Sequence, residues 1–493
     1  MNVHRGSLSL RHTRRFAIVI AAVLLVGGLA SAARGSVVVT KISMDPYTNA
    51  SAQHATEVEP DTFAAGNTIV SAFQVGRFFN GGASNIGFAT STDGGASWTS
   101  GFLPETTVYA TPPGTYPRTS DPTVAYDARH GVWLVSYLGL FPGGSASVDV
   151  LVSRSTDGLT WGPPVVVNND GDFNDKNWTV CDNSASSAFY GNCYTEFDDN
   201  SQGDLVQMST SSDGGLTWAA ALSTASNLHG IGGQPLVQPD GTVVVPINGF
   251  AGRNFLMVSF TSTDGGASWG KTHIIAKIGF HHAAGGLRDS IPLPSAETDA
   301  SGRVYAVWQD CHFEPTCNAS DLVLSTSSDG VKWSKLVRLP LDAKGSGVDH
   351  FIPGLAVDPT TSGPSAHLVV TYYYYPVSAC DAATCQLDVG YSSSVDGGAS
   401  WSAGNQLAGP MSLSWLADTT QGVMVGDYLS TSFARSIAYP VVALANAPSG
   451  GVFDEASYTA AGGLAASGPP VTATDRAASG ARSTMTTSKV TAQ

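Results

Sequence analysis

Six copies of one short phrase run through this chain. They are Ser91-Thr-Asp-Gly-Gly-Ala-Ser-Trp98, Ser155-Thr-Asp-Gly-Leu-Thr-Trp161, Ser211-Ser-Asp-Gly-Gly-Leu-Thr-Trp218, Ser262-Thr-Asp-Gly-Gly-Ala-Ser-Trp269, Ser327-Ser-Asp-Gly-Val-Lys-Trp333 and Ser394-Val-Asp-Gly-Gly-Ala-Ser-Trp401. Their starts lie 64, 56, 51, 65 and 67 residues apart. Recurrence at such a period means an array of one supersecondary unit. Each phrase reads as a hairpin turn. The Asp carboxylate can accept backbone N–H groups of the turn, and Gly supplies the positive φ of the reversal. The Trp buries a large apolar surface beside the turn and pins it to a sheet.

The residues between the phrases carry strands. In the second repeat, Asp121-Pro-Thr-Val-Ala-Tyr126, Val132-Trp-Leu-Val-Ser-Tyr137 and Val148-Asp-Val-Leu-Val-Ser153 precede the phrase, and Pro164-Val-Val-Val167 follows it. Four-stranded antiparallel units in series are the blades of a β-propeller. After the last phrase, Met424–Tyr428, Ala438–Leu444 and Val452–Tyr458 read as three further strands, and Ser36–Ile42 can supply a fourth. Tying the two ends of the chain together leaves no unpaired edge, which favours seven blades over six.

Composition agrees with a turn-rich all-β protein: only 13% of residues are charged, and Gly numbers 55. Arg5, Arg11, Arg14 and Arg15 precede an apolar run from Phe16 to Leu29 and the small residues Ala30-Ser31-Ala32. This is the pattern of an export signal, placed at residues 1–35; a retained anchor is the alternative. Removing residues 1–32 takes away four Arg and no acidic residue and moves the formal charge from −15 to −19. Such a surface excludes nucleic acid and anionic membranes as partners after signal cleavage. The expected form is a secreted monomer. The six cysteines fall in three close pairs, Cys181/Cys193, Cys311/Cys317 and Cys380/Cys385, as for local disulfides in an exported protein. No Cys-x-x-Cys or matched His spacing supports the rival reading, zinc. Residues 461–493 turn to Ala, Gly, Ser and Thr without periodicity and read as a disordered tail, which leaves 36–460 for the propeller.

The repeated phrase resembles the Asp-box of the sialidase superfamily, Ser-x-Asp-x-Gly-x-Thr-Trp. Four copies keep the full spacing; those at 155 and 327 are one residue shorter. The resemblance implies a sialidase-like β-propeller whose first strands line a central channel. At the starts of those strands stand Glu59-Pro, Asp121-Pro, Asp175-Lys-Asn, Gln234-Pro, Arg288-Asp289, Asp349-His350 and Gly426-Asp427-Tyr428. Six of these seven carry a carboxylate, read either as turn caps or as an acidic mouth for a cation or for acid/base chemistry.

Sialidases hold a substrate carboxylate with three Arg and use an Asp acid/base and a Tyr nucleophile assisted by a Glu. Carried onto this chain, the resemblance implies Arg118, Arg288 and Arg435 as the clamp, with Arg77 in reserve, Asp121 as acid/base, Tyr428 as nucleophile, and Glu297 or Glu196 as its partner. The family's early Phe/Tyr-Arg-Ile-Pro motif is absent; Tyr116-Pro-Arg118 and Arg288-Asp-Ser-Ile-Pro292 are the nearest matches. The implied function is therefore to bind or hydrolyse an extracellular glycan or glycoconjugate, as an exo-glycosidase if catalytic. The alternative is a non-catalytic propeller for a glycan, peptide or cell-wall component.

Two loops are rich in oxygen ligands, Asn168–Asp175 and Glu196–Asn200. Calcium takes six to eight such oxygens, so Asp170, Asp172, Asp175, Asp198 and Asp199 are expected ligands of a structural Ca²⁺. The first loop is no EF-hand: Asp175 stands at the position of the turn Gly and Cys181 at that of the bidentate Glu. His281-His282 have no spaced partners and read as surface residues. Tyr372 to Tyr375 lie in a strand and alternate between its faces, two for packing and two for stacking on sugar.

Overall fold

The computed structural model describes residues 37–141, 147–252, 254–289 and 291–469. The expected export signal at 1–35 lies outside them. The described chain is built of antiparallel strands. In the first sheet Glu57–Ala65, Thr68–Arg77, Ala83–Ser91 and Thr99–Phe102 follow one another as a meander. Arg118–Asp127, Val132–Leu140, Val148–Ser155 and Val165–Asn168 repeat it, joined to the first through the pair Ala83 and Thr119. The same order recurs from Asn174–Cys181, from Leu236–Val237, from Ser295–Thr298 and from Asp349–Val357.

The last sheet is assembled from both ends of the chain. Ser430–Ala434, Ile437–Ser449 and Val452–Ala460 form its first three strands, and Val39–Lys41 pairs with the third, Val39 opposite Ala460 and Lys41 opposite Tyr458. The stretch read as a tail from residue 461 contributes as well. Leu464–Ala465 pairs with Ile437–Ala438, and Ser467 N–H donates to Ser393 Oγ. Leu464, the one large apolar residue of the described residues 461–469, is 5% exposed, and its burial holds the segment down.

Alternation with period two gives each sheet two buried faces, so apolar layers form between successive sheets. Val135 and Trp133 pack toward the first sheet, while Leu134 packs toward the third. Tyr194 packs with Val245 and Ile247; Trp308 with Val244 and Met257. Tyr372 joins Leu355 and Tyr305, whereas Tyr373 and Tyr375 turn to Phe351, Leu429 and Val442. Tyr374 lies against the His350 ring. The sequence expectation of a Tyr pair presented to sugar is corrected: all four rings are taken up in packing. Phe73 and Val75 meet Val441, which brings the first sheet against the last.

Each repeated turn binds its own backbone. Asp93 Oδ1 accepts the Ser91 hydroxyl and the Ser97 N–H, and Ser91 Oγ accepts the Gly95 N–H. The shortened turn at 155 reaches the same end with Leu159 and Thr160 N–H on Asp157 Oδ1. The turn glycines touch the preceding sheet. A Cβ on Gly158 would lie 2.9 Å from Val70, on Gly215 2.9 Å from Leu134, on Gly330 2.7 Å from Val244 and on Gly398 3.0 Å from Leu324. The first turn sits on the last sheet, where the Tyr439 hydroxyl donates to Gly94 O. Three disulfides join Cys181 to Cys193, Cys311 to Cys317 and Cys380 to Cys385. No helix among the described residues is long and apolar enough to cross a membrane.

Candidate functional site

The first strands pack side by side about a common axis, Glu57–Ala65 against Arg118–Asp127 and Ser430–Ala434, Arg118–Asp127 against Asn174–Cys181, and Ser430–Ala434 against Asp349–Val357, and their starting ends converge. At four of these starts the ladder slips, between Val58 and Asp61, Ser120 and Thr123, Asp175 and Trp178, and Phe351 and Gly354. The slipped residues Glu59, Asp121, Lys176 and Ile352 take φ of 56°, 51°, 49° and 50°. A bulge with a left-handed residue re-aims one side chain away from the sheet's alternation. Non-glycine residues hold that conformation only where the surroundings enforce it, and such positions cluster at functional sites. Pro follows Glu59, Asp121 and Ile352, and Asn follows Lys176.

These re-aimed side chains build one charged cluster. Lys176 Nζ lies 2.5 Å from Asp427 Oδ2, 3.0 Å from Asp121 Oδ2 and 3.5 Å from Glu59 Oε1. Arg288 pairs with Asp427, whose N–H donates to Glu59 Oε1. Gln74 donates to the other oxygen of Glu59 and accepts from Arg77. The protonation states follow from this arrangement. Burial, then the Asp121 charge, pushes Glu59 up to about 7. Burial acts on Asp427 too, but Arg288 and Lys176 outweigh it and hold the carboxylate well below its usual range. Burial alone would neutralise Lys176; Asp121, Asp427 and Glu59 keep it charged. Asp175, beside the cluster, is raised to about 6, mainly by burial.

A recess of ≈ 180 Å³ opens onto the cluster. Trp178 and Tyr428 stand in its wall with their rings edge to face, 5.3 Å apart. Ile291, Leu293 and Pro353 add apolar surface. Polar groups come from Gln234 and from Asp289, which accepts the Gln309 amide at 2.6 Å.

Of the residues proposed from sequence, Asp121, Arg288 and Tyr428 stand at this place. Tyr428 is held differently from an assisted nucleophile. Its hydroxyl donates to Pro122 O at 3.0 Å, and burial pushes its pKa well above that of a free phenol. Arg118 and Arg435 are elsewhere. Arg118 donates to Asn80 Oδ1 and Gly81 O, with its guanidinium over Phe78 at 4.2 Å. Arg435 donates to Asn67 against the Gly94 turn, at the far end of the strand Ser430–Ala434. A clamp of Arg118, Arg288 and Arg435 is not assembled: Arg288 reaches the cluster from a loop, Arg118 is spent on the Asn80–Gly81 loop at the start of its strand, and Arg435 sits in the turn at the opposite end of Ser430–Ala434. Arg77 lies close behind the cluster, spent on Gln74 Oε1 and Gly82 O. Glu297 lines a separate chamber at the other end of the strands. Glu196 is buried against Gly233.

The oxygen-rich loops divide likewise. Carboxylate oxygens of Asp170, Asp172 and Asp199 lie within 4.8 Å of one another. Asp175 joins the axial cluster, and Asp198 is buried on the neighbouring strand opposite it. Bound through one oxygen each, these three carboxylates supply three of the six to eight oxygens of a Ca²⁺ shell. The chain's own donors already occupy two of them: Asn168 and Asp172 N–H on Asp170, and Gln202 on Asp199.

Sequence reading passed over Lys176, the centre of the site. Its signal was a cation inside a ring of acidic strand starts.

Residues 141–357 match the BNR repeat-like domain. No curated protein matches the sequence. Among solved structures, a Hadza microbial sialidase is 14% identical with a TM-score of 0.43, over 83% of this chain and 65% of its own. The chain thus spans about two thirds of that protein's length. A polysaccharide lyase, an ulvan lyase, is 12% identical with a TM-score of 0.47, over 88% and 97% of the two chains. The NanB sialidase from Streptococcus pneumoniae is 12% identical with a TM-score of 0.41, over 85% and 70%. Over residues 141–357, with its Ser-x-Asp turns and four-stranded antiparallel sheets, the chain is similar to BNR repeat-like domains.

Proposed function

We propose that this is a secreted carbohydrate-active protein that binds an uncharged glycan terminus in the axial recess. The observation that carries the reading is the pairing of the recess cations. Lys176 and Arg288 are both committed to carboxylates, so neither is left to fork a substrate carboxylate, while Trp178, Tyr428 and a few fixed amides and carboxylates offer what a neutral sugar ring needs. The architecture we infer around it is a seven-bladed ring closed by Val39–Lys41, supported by the contact of the first and last sheets. Secretion is supported by the three disulfides. We take the acting form to be a monomer.

A second reading, hydrolysis, is favoured by the spread of protonation states in one cluster. Glu59 at about 7 can give a proton at neutral pH, while Asp427 stays ionised. In that case Glu59 is the acid, Asp121 the candidate base, and Tyr428 a positioning group.

The test is a titration of neutral and sialylated oligosaccharides followed by Trp fluorescence, alongside release of a fluorophore from neutral glycosides and a sialoside. Neutral oligosaccharides should bind, and Trp178→Ala should weaken them about tenfold or more, as loss of a stacked aromatic does. Arg118→Ala and Arg435→Ala should bind as wild type. Preference for sialosides, abolished by Arg118→Ala, would overturn the proposal. Glycoside release lost in Glu59→Gln would establish the hydrolytic reading.

A further inference from the structure

The strands that carry the recess also line a second chamber, farther along the same axis. Ser295 faces the recess and Glu297 the chamber; Trp178 and Val180, and Leu429 and Thr431, divide in the same way. Two residues of strand advance about 7 Å, so the two spaces lie one behind the other. The second chamber measures ≈ 250 Å³. Phe63, Val180, Leu236, Val357 and Phe433 give it apolar walls.

Among the described lining residues, Glu297 is the one that ionises. Its carboxyl has no hydrogen-bond or ion-pair partner among the described residues; burial and the nearby Asp61 act on it, and together they push it up to about 8. Asp61 is occupied, accepting the Val124 N–H at 2.6 Å and further bonds from Thr62 and Ser430. A half-buried carboxyl in an apolar wall, with none of the chain's donors opposite it, loses part of the hydration its charged state needs. That state becomes favourable when a partner brings hydrogen-bond donors, a positive charge and enough apolar surface to fill the space.

The shape of the demand selects the partner. One carboxylate gives two acceptor oxygens, and Thr298 stands in the same wall, while Thr431 beside it turns its hydroxyl to Thr371 and Gly354 O. An ammonium, with three donors, is matched by that set. A guanidinium, with five, would leave donors unmet. A cavity of about 150 Å³ already admits a ring the size of benzene, so a short alkyl chain fits this chamber. We propose that the chamber is a second ligand site, for a primary alkylammonium group whose chain packs on Phe63, Leu236 and Phe433 and whose charge pairs with Glu297.

The experiment is calorimetric titration of the full chain with hexylamine, with the amide of Nα-acetyl-lysine, and with hexanol as the uncharged isostere. Hexylamine should bind with one site per chain and hexanol at least about tenfold more weakly, the scale of a desolvated charge pair. Glu297→Gln should lose hexylamine binding to the same degree while the glycan titration at Trp178 stays as in wild type. Phe433→Trp, which fills the chamber and keeps the charge, should also abolish it. Binding of the lysine amide in place of hexylamine would assign the site to a peptide side chain; binding of hexylamine alone, to a free amine. Equal binding of hexylamine and hexanol would overturn the proposal. So would undiminished binding by a folded Glu297→Gln protein, or no binding of either amine.

Discussion

Gly330 and Gly66 separate the two reasons a turn needs glycine. Both hold positive φ, 66° and 60°, but a Cβ on Gly330 would press on Val244 while Gly66 faces open space. Gly66→Ala should cost about 1 kcal/mol, the backbone term alone, and Gly330→Ala about 2–4 kcal/mol, since overpacking adds to it. Denaturant unfolding of both variants reads the difference, and equal losses would show that the turn does not press on the preceding sheet. Lys176 poses the converse problem. Its removal leaves Glu59, Asp121 and Asp427 facing one another in a buried place. Lys176→Met should therefore destabilise by about 3 kcal/mol or more, as breaking a buried pair does, although the new side chain is apolar. Unfolding measured at pH 7 checks it; a neutral effect would mean that the cluster is more wetted than its burial implies.

At the scale of elements, the strand Val39–Lys41 does more than its three residues suggest. It covers the outer edge of Val452–Ala460, which would otherwise present free N–H and C=O groups. A chain beginning at residue 43 should melt a few degrees lower and associate with rising concentration, because an open edge pairs with another copy. Light scattering beside thermal unfolding tests this; a shortened chain that stays monomeric at full stability would make the strand dispensable. Much of this level was legible from sequence. The β-rich units and the local Cys pairs follow from the repeated phrase, the apolar runs and the even Cys count. The ordering of 461–469 was not legible, since one Leu in an Ala/Gly/Ser/Thr stretch carries no periodicity and only the pocket that receives Leu464 makes it count.

For the whole molecule, buried carboxyls and turn carboxylates pull stability in opposite directions with pH. Burial raises Glu57, Glu59 and Asp61 to about 7 and Glu297 to about 8. A group raised on folding stabilises fully below its unfolded pKa, and that contribution is lost as pH climbs through the folded value. These four therefore weaken the fold between their unfolded pKa near 4.5 or below and pH 7–8. The hydrogen bonds of the turns lower Asp93 and Asp157 to about 2, so their contribution is present at neutral pH and lost as pH falls from about 4 toward 2. Thermal stability should peak near pH 5 and fall on both sides, which a melting series from pH 3 to 9 measures. Glu297→Gln should flatten the alkaline limb. A plateau rising to pH 8 would show that these carboxyls are hydrated rather than buried.

The sequence by itself determined the local rules of this protein: four-stranded units, the turns that end them, the Cys pairs, and a ring of polar residues at the strand starts. Those follow from period, turn chemistry and spacing, all of which act within a few tens of residues. Tertiary structure alone decided which of the polar residues meet. Alternation along a strand sets the face a side chain takes but not its height on the common axis. Bulges at Glu59, Asp121 and Lys176 broke that alternation and brought three units to one point. Loop paths then brought Arg288 to the recess, held Arg118 at the start of its strand against Asn80 and left Arg435 in a turn, while Glu297 lies in the chamber behind because residues two apart on one strand open into different spaces.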